Sequence, residues 1–445
     1  MFGRYRYDLA LGSMMIVALA AGCTPKDDGQ SSSTLVVTDG GSDDGDPTGD
    51  GDPTGDGDGD PTGDGDPDGD GCTDALDILL VIDNSGSMGT IQRRLVLALP
   101  GLVNLLDGAG LDWRIGVTTT DNGNQWCPAG QTTPEGGKLV MSSCRTRLND
   151  FLFGDEVDVR DSLCNDLCPN GIFEIVPTVT EVDEVAAPRP WIERIDGQTN
   201  VSGLDVADAL RCAVPMGVNG CGFESQLESS YLALARAQLN TEASYGFLRS
   251  DASLLVLILS DEIDCSYNKN YSTIFSAEGN KAFWSDPSSP YPTSALCWNA
   301  GVMCMGPGSG YVTCDPQNYD VDGNPTGNPD DAVLHPISRY INDLDQLRQQ
   351  REQINPGARV RFAVIGGARL DGTVHYADSP DPGFQNSFGI GPGCEDPNSP
   401  EVLAVPPVRM RQVALQSDGS LGSICAPDYS PFLADLVESF VAECG

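Results

Sequence analysis

The sequence predicts an α/β fold on a doubly wound, mostly parallel sheet with long disulfide-stapled insertions. Two almost uninterrupted apolar runs, Ala75 to Ile82 and Ser253 to Leu259, have the pattern of strands buried on both faces. Segments of helical period alternate with such strands, which is the order an α/β architecture requires. Stretches rich in Gly, Pro, Asn and Cys separate these elements at about 121–200 and 262–333.

Residues 1–23 stand apart from the fold. Arg4 and Arg6 precede an apolar run from Leu9 to Ala21, too short to cross a bilayer of roughly 30 Å as a helix and typical of a signal peptide. It ends in Leu19-Ala20-Ala21-Gly22-Cys23, which resembles a bacterial lipobox, with Ala20 where a large aliphatic residue is usual. The resemblance implies lipidation at Cys23; the plainer alternative is a secretory signal with an incidental cysteine. There are 15 cysteines, an odd number, so acylating Cys23 leaves an even set that can pair completely. With only two histidines, His335 and His375, disulfides are favoured over zinc ligation. Thr24 follows Cys23 where an Asp would favour inner-membrane retention, so the expected location is the bacterial envelope, lipid-anchored at the outer membrane.

Residues 24–71 carry 15 aspartates against one lysine, and Gly-Asp-Pro-Thr-Gly-Asp recurs at 45–50, 51–56 and 59–64. Such a segment cannot bury a core and is expected to be a disordered, self-repelling linker. Asp50, Asp52, Thr54 and Gly55, and likewise Asp64, Asp66, Asp68 and Gly69, copy half of an EF-hand loop. The acid needed at position twelve is Pro61 in one case and Ala75 in the other, so a tether is preferred to a calcium site. The remaining residues, 72–445, form the globular domain.

Its first strand ends in Asp83-Asn84-Ser85-Gly86-Ser87. Ile91, Leu95, Leu99, Leu102 and Leu106 then mark a helix that Pro100 is expected to kink or interrupt. Oxygen-bearing side chains are thereby placed at a strand's carboxyl end, where open α/β sheets bind ligands. A strand follows at 113–117, helices at 206–214 and 225–238, and the second apolar strand ends in Ser260-Asp261-Glu262. A helix at 336–350, a strand at 360–367 and a closing amphipathic helix at 429–444 complete the order. His335 reads as a cap or surface residue, and His375 as a loop residue.

The Asp-x-Ser-x-Ser after one buried strand and the Asp closing another resemble the von Willebrand factor type A family and its metal-ion-dependent adhesion site. Ser and Asp at such junctions also make turns and helix caps. The resemblance implies a Rossmann-like sheet and a hard divalent cation, Mg²⁺ or else Mn²⁺ or Ca²⁺, held by Asp83, Ser85, Ser87 and Asp261. The family supplies a further loop threonine, whose place here falls on Glu224; a first-turn surface acid is the plainer account of that residue. Thr118, Thr119 and Thr120 are rival candidates. A clamp of the domain ends, Cys72 to Cys444, is likewise implied by extracellular members of the family.

With 25 basic and 65 acidic residues, the net charge of −40 argues against nucleic acid or anionic lipid as an electrostatic partner. The scarcity of histidine and the lack of Gly-x-Ser-x-Gly argue against familiar hydrolase chemistry. The expected function is therefore a lipid-anchored, non-enzymatic module that binds a protein or polysaccharide through its cation. The alternatives are a metal-assisted envelope hydrolase, or a structural envelope protein whose motif is vestigial.

Overall fold

The computed structural model describes residues 74–127, 132, 134–154, 157–169 and 171–441. The chain divides into units 1–64 and 65–445, and these residues all belong to the second. Cys23, the linker 24–71, and Cys72 and Cys444 lie outside the described residues.

Seven strands make one sheet: β1 (Ala75–Ile82), β2 (Asp112–Thr119), β3 (Ile192–Ile195), β4 (Gln198–Thr199), β5 (Ser253–Leu259), β6 (Val360–Gly366) and β7 (Leu421–Ser423). Their order is β7-β6-β5-β1-β2-β3-β4. The β1–β2, β1–β5, β5–β6 and β6–β7 pairs are parallel, whereas β3 runs antiparallel to β2 and to β4. The sheet is thus mixed but mostly parallel. Both edges are strands of two or three residues, short enough to give an added chain little to pair with.

Helices cover both faces. Leu76, Ile78, Leu80 and Ile82 of β1 pack with α1 (Gly89–Gly108), α2 (Val206–Ala213) and α6 (Ser430–Val441). Leu79 and Val81, pointing the other way by strand alternation, pack with α3 (Gln226–Ala237), α4 (Ile337–Ile354) and α5 (Val408–Gln416). Asp77 interrupts the second set without leaving an unpaired charge, because its carboxylate accepts from Arg249 N (2.7 Å) and Arg249 Nε (2.9 Å). Pro100 does not break α1, which runs through it; the missing N–H costs one rung on a partly exposed turn.

The stretch 121–200 contributes β3 and β4 to the sheet edge. Its cysteines pair as Cys144–Cys164 internally, and as Cys127–Cys221 and Cys168–Cys212 across to later segments. The stretch 262–333 has its own core around Tyr267, Phe275, Trp284 and Trp298, with bridges Cys265–Cys297 and Cys304–Cys314. A sixth bridge joins Cys394 to Cys425. Stapled order is therefore observed in both insertions, and disulfides in this number suit an oxidising compartment. Among the described residues, no helix is long and apolar enough to cross a membrane.

Candidate metal site at the sheet crest

The parallel register brings the predicted loops together. Ile82 lies opposite both Thr119 and Leu259, so β1, β2 and β5 end at the same level. Asp83 N donates to Leu259 O (2.9 Å), and Thr120 N donates to Ile82 O (3.2 Å). The loop that carries Glu224 is stitched on by Gly220 N to Asn84 O (2.7 Å), Ser225 N to Thr120 O (2.9 Å) and Cys265 N to Glu224 O (2.7 Å). These backbone bonds, rather than the acidic side chains, overcome the reluctance of like charges to converge.

Asp83 is fully buried. Its Oδ1 accepts from Ser85 N (2.9 Å) and its Oδ2 from Ser260 Oγ (2.6 Å), while the Gln226 amide bonds Ser260 Oγ in turn (2.7 Å). Ser85 Oγ lies 3.3 Å from Ser87 Oγ, and Ser87, unlike Ser85, is open to solvent. Ser87 also hydrogen-bonds the Asp261 carboxylate. Gln92 Nε2 donates to Asp83 O (2.8 Å) and Gly217 O (2.7 Å), and its Oε1 accepts from Met216 N (2.9 Å), which fixes the turn between β1 and α1.

Glu224 is 1% exposed. Its Oε2 accepts from Thr120 Oγ1, and its Oε1 has no hydrogen-bond partner among the described residues. Asp261 Oδ1 is likewise buried and unpartnered. Of the rival threonines, Thr118 donates to Lys138 O (2.9 Å) and Thr119 to Glu135, both directed at the first insertion. Thr120 alone shares the site, as a donor to Glu224.

The electrostatics follow from burying several acids together. Burial raises Asp83, with its bonds to Ser260 and Ser85 opposing the rise. Burial and then the Asp83 charge push Asp261 up to about 8. The same two causes hold Glu224 well above the usual carboxylate range. Glu262, which is partly exposed, is also held well above it by desolvation and the charges of Asp261 and Asp83. No salt bridge reaches Asp83, Glu224, Asp261 or Glu262 among the described residues. His335 stands elsewhere, its Nε2 3.9 Å from Glu228, and burial lowers it to about 4. It is therefore partly buried rather than a surface residue. His375 lines a separate cleft beside the Cys394–Cys425 bridge.

Orphaned buried oxygens, hard donors and the lack of a basic partner fit a divalent cation. No group of three or more His, Cys, Asp or Glu side chains has metal-holding geometry among the described residues. A shell here would therefore have to add other oxygens to the carboxylates, for which the Ser85 and Ser87 hydroxyls are candidates. Sequence reasoning missed Ser260, Glu262 and Gln92 as parts of this site. A signal existed for Gln92, an amide on the apolar stripe shared with Leu95 and Leu99; the role of Ser260 depends on strand adjacency and had none.

No family model and no curated protein matches the chain. Among solved structures it is similar to the pilus adhesin SpaC from Lactobacillus rhamnosus GG, at 10% identity and a TM-score of 0.28, covering 82% of this chain and 30% of that one. The open conformation of SpaC gives 11% and 0.30 with the same coverage. The pilus adhesin RrgA from Streptococcus pneumoniae gives 10% and 0.28, covering 82% of this chain and 44% of that one. The chain thus spans less than half the length of each adhesin. The likeness is distant, and the functional reading rests on the chain's own residues.

Proposed function

We propose that this is an exported binding module of the von Willebrand factor type A kind, which engages a protein or polysaccharide through a divalent cation. Ser85, Ser87, Asp261 and Glu224 hold the ion, and Asp83 anchors the shell through Ser85 and Ser260. The observation that carries this reading is the two buried, unpartnered oxygens, Glu224 Oε1 and Asp261 Oδ1, on loops that backbone hydrogen bonds tie to the Asp83–Ser87 turn. Mg²⁺, Mn²⁺ or Ca²⁺ would supply a Lewis-acidic contact for a partner's oxygen. Ser87, the open member of the set, marks the side from which that oxygen arrives. Cys23 tethers the module to the envelope through lipid, with residues 24–71 as the linker between anchor and domain.

Capture from envelope extract on the immobilised chain tests the reading. The partner should be retained with Mg²⁺ or Mn²⁺, released by EDTA, and absent from the Asp83→Ala chain. Equal capture with chelator, or by Asp83→Ala, would count against it.

A further inference from the structure

A cleft of about 670 Å³ borders the site, inside the roughly 300–1,000 Å³ range of small-molecule sites. It adjoins the Asp83–Ser87 loop directly. A Cβ on Gly86 would lie 3.1 Å from Phe153, and one on Gly220 would meet Asn84 Oδ1 at 2.2 Å; Phe153 and Gly220 both line the cleft. Asn84 Oδ1 is itself buried without a hydrogen-bond partner among the described residues. Ser294, also in the lining, donates its hydroxyl to Gly222 O (3.3 Å) and lies beside the Glu262 carboxylate.

The lining is chemically selective. None of its described residues is charged. Trp126 and Phe153 present large apolar surfaces that are 39% and 47% exposed, beside Phe223. The Trp126 ring is fixed by Nε1 donating to Phe275 O (2.7 Å), and the Cys127–Cys221 bridge ties its loop to the Gly220–Gly222 turn. Asn219, Thr293 and Ser294 add amide and hydroxyl groups to the same walls. No basic side chain stands among the described lining residues, so an anionic ligand would find no counter-charge in the cleft.

We propose that the cleft seats a neutral sugar residue of a glycan, with its C–H face on Trp126 and Phe153 and its hydroxyl edge toward the cation site. The proposal rests on the cation reading above and names the class of partner for that site. A pyranose matches the lining because one ring offers an apolar face and several uncharged donors and acceptors. A carboxylate-bearing peptide matches the aromatic walls but finds no basic partner among the described lining residues.

The full chain should be applied to an array of mannose-, galactose- and fucose-terminated oligosaccharides, sialylated oligosaccharides and an Asp-containing peptide, in Mg²⁺ or Ca²⁺ and again in EDTA. Metal content and thermal unfolding are measured separately. The expected result is retention on neutral glycans that EDTA abolishes. Trp126→Ala and Phe153→Ala should each weaken it about tenfold with metal content and Tm unchanged. Preference for the sialylated or peptide probes, or unchanged glycan retention by both variants while metal is bound, would overturn the proposal. Neutral-glycan retention that depends on Trp126 in a chain binding no metal would support the cleft and overturn the cation reading.

Discussion

Asp83 owes its position to two hydrogen bonds. Ser260 Oγ and Ser85 N occupy its two carboxylate oxygens, so Ser260→Ala should leave the fold intact and weaken cation binding roughly 10–100-fold, as removal of an orienting hydrogen bond does. Titration calorimetry checks this, and an unchanged affinity would show that Ser260 does not orient the shell. Asp261 makes the opposite point. Buried beside Asp83 with an unpartnered oxygen, it destabilises the chelated protein, so Asp261→Asn should raise stability in EDTA by about 1–3 kcal/mol while abolishing the gain from added Mg²⁺. Denaturant unfolding with and without metal separates the two effects. His335 supplies a pH dependence away from the site. Its native value, about 4, lies below the ordinary 6.5, so its contribution to stability is fully present above pH 6.5 and is lost as pH falls toward 4. His335→Gln should flatten that part of the acid limb in a series of melts, and an unaltered limb would assign the loss to other groups.

The strands and helices that bear the site were legible where one periodicity ruled. Ala75–Ile82 and Ser253–Leu259 were plain as buried strands because helices cover both of their faces, and their carboxyl ends announced Asp83 and Asp261. β3, only four residues long, was hidden because its pairing with β2 is a long-range choice that local patterning does not encode. β7 and α5 were missed for a related reason: a three-residue strand, and a helix bearing Arg409 and Arg411, show little apolar stripe. Arg409 is nonetheless buried, donating to Asp264 Oδ2 (2.8 Å) and His335 O (2.7 Å), a pairing that sequence cannot announce. The disulfides were foreseeable in number but not in partner, since Cys127 and Cys168 leave their own insertion for Cys221 and Cys212. Replacing Cys127 and Cys221 together by Ala should cost about 2–4 kcal/mol, because 94 residues separate them. Chemical denaturation measures that loss, and a much smaller one would mean that the loops are held by packing alone.

At the scale of the whole domain, a mostly parallel sheet lies beneath loops that gather four acids with no salt-bridge partner among the described residues, and the insertions are cross-linked by disulfides. On the cation reading, a bound divalent ion offsets that burial, and mass action makes the folded state metal-dependent. At a free cation concentration about 100 times Kd, the added stability should be ~2.7 kcal/mol. The decisive measurement is equilibrium dialysis of the purified chain and its Asp83→Ala variant against Mg²⁺, Mn²⁺ and Ca²⁺, with bound metal counted by elemental analysis. Saturable binding at a single site that EDTA strips and Asp83→Ala abolishes is the expected result. No metal bound by the native chain at millimolar cation, or the same binding in the variant, would contradict it.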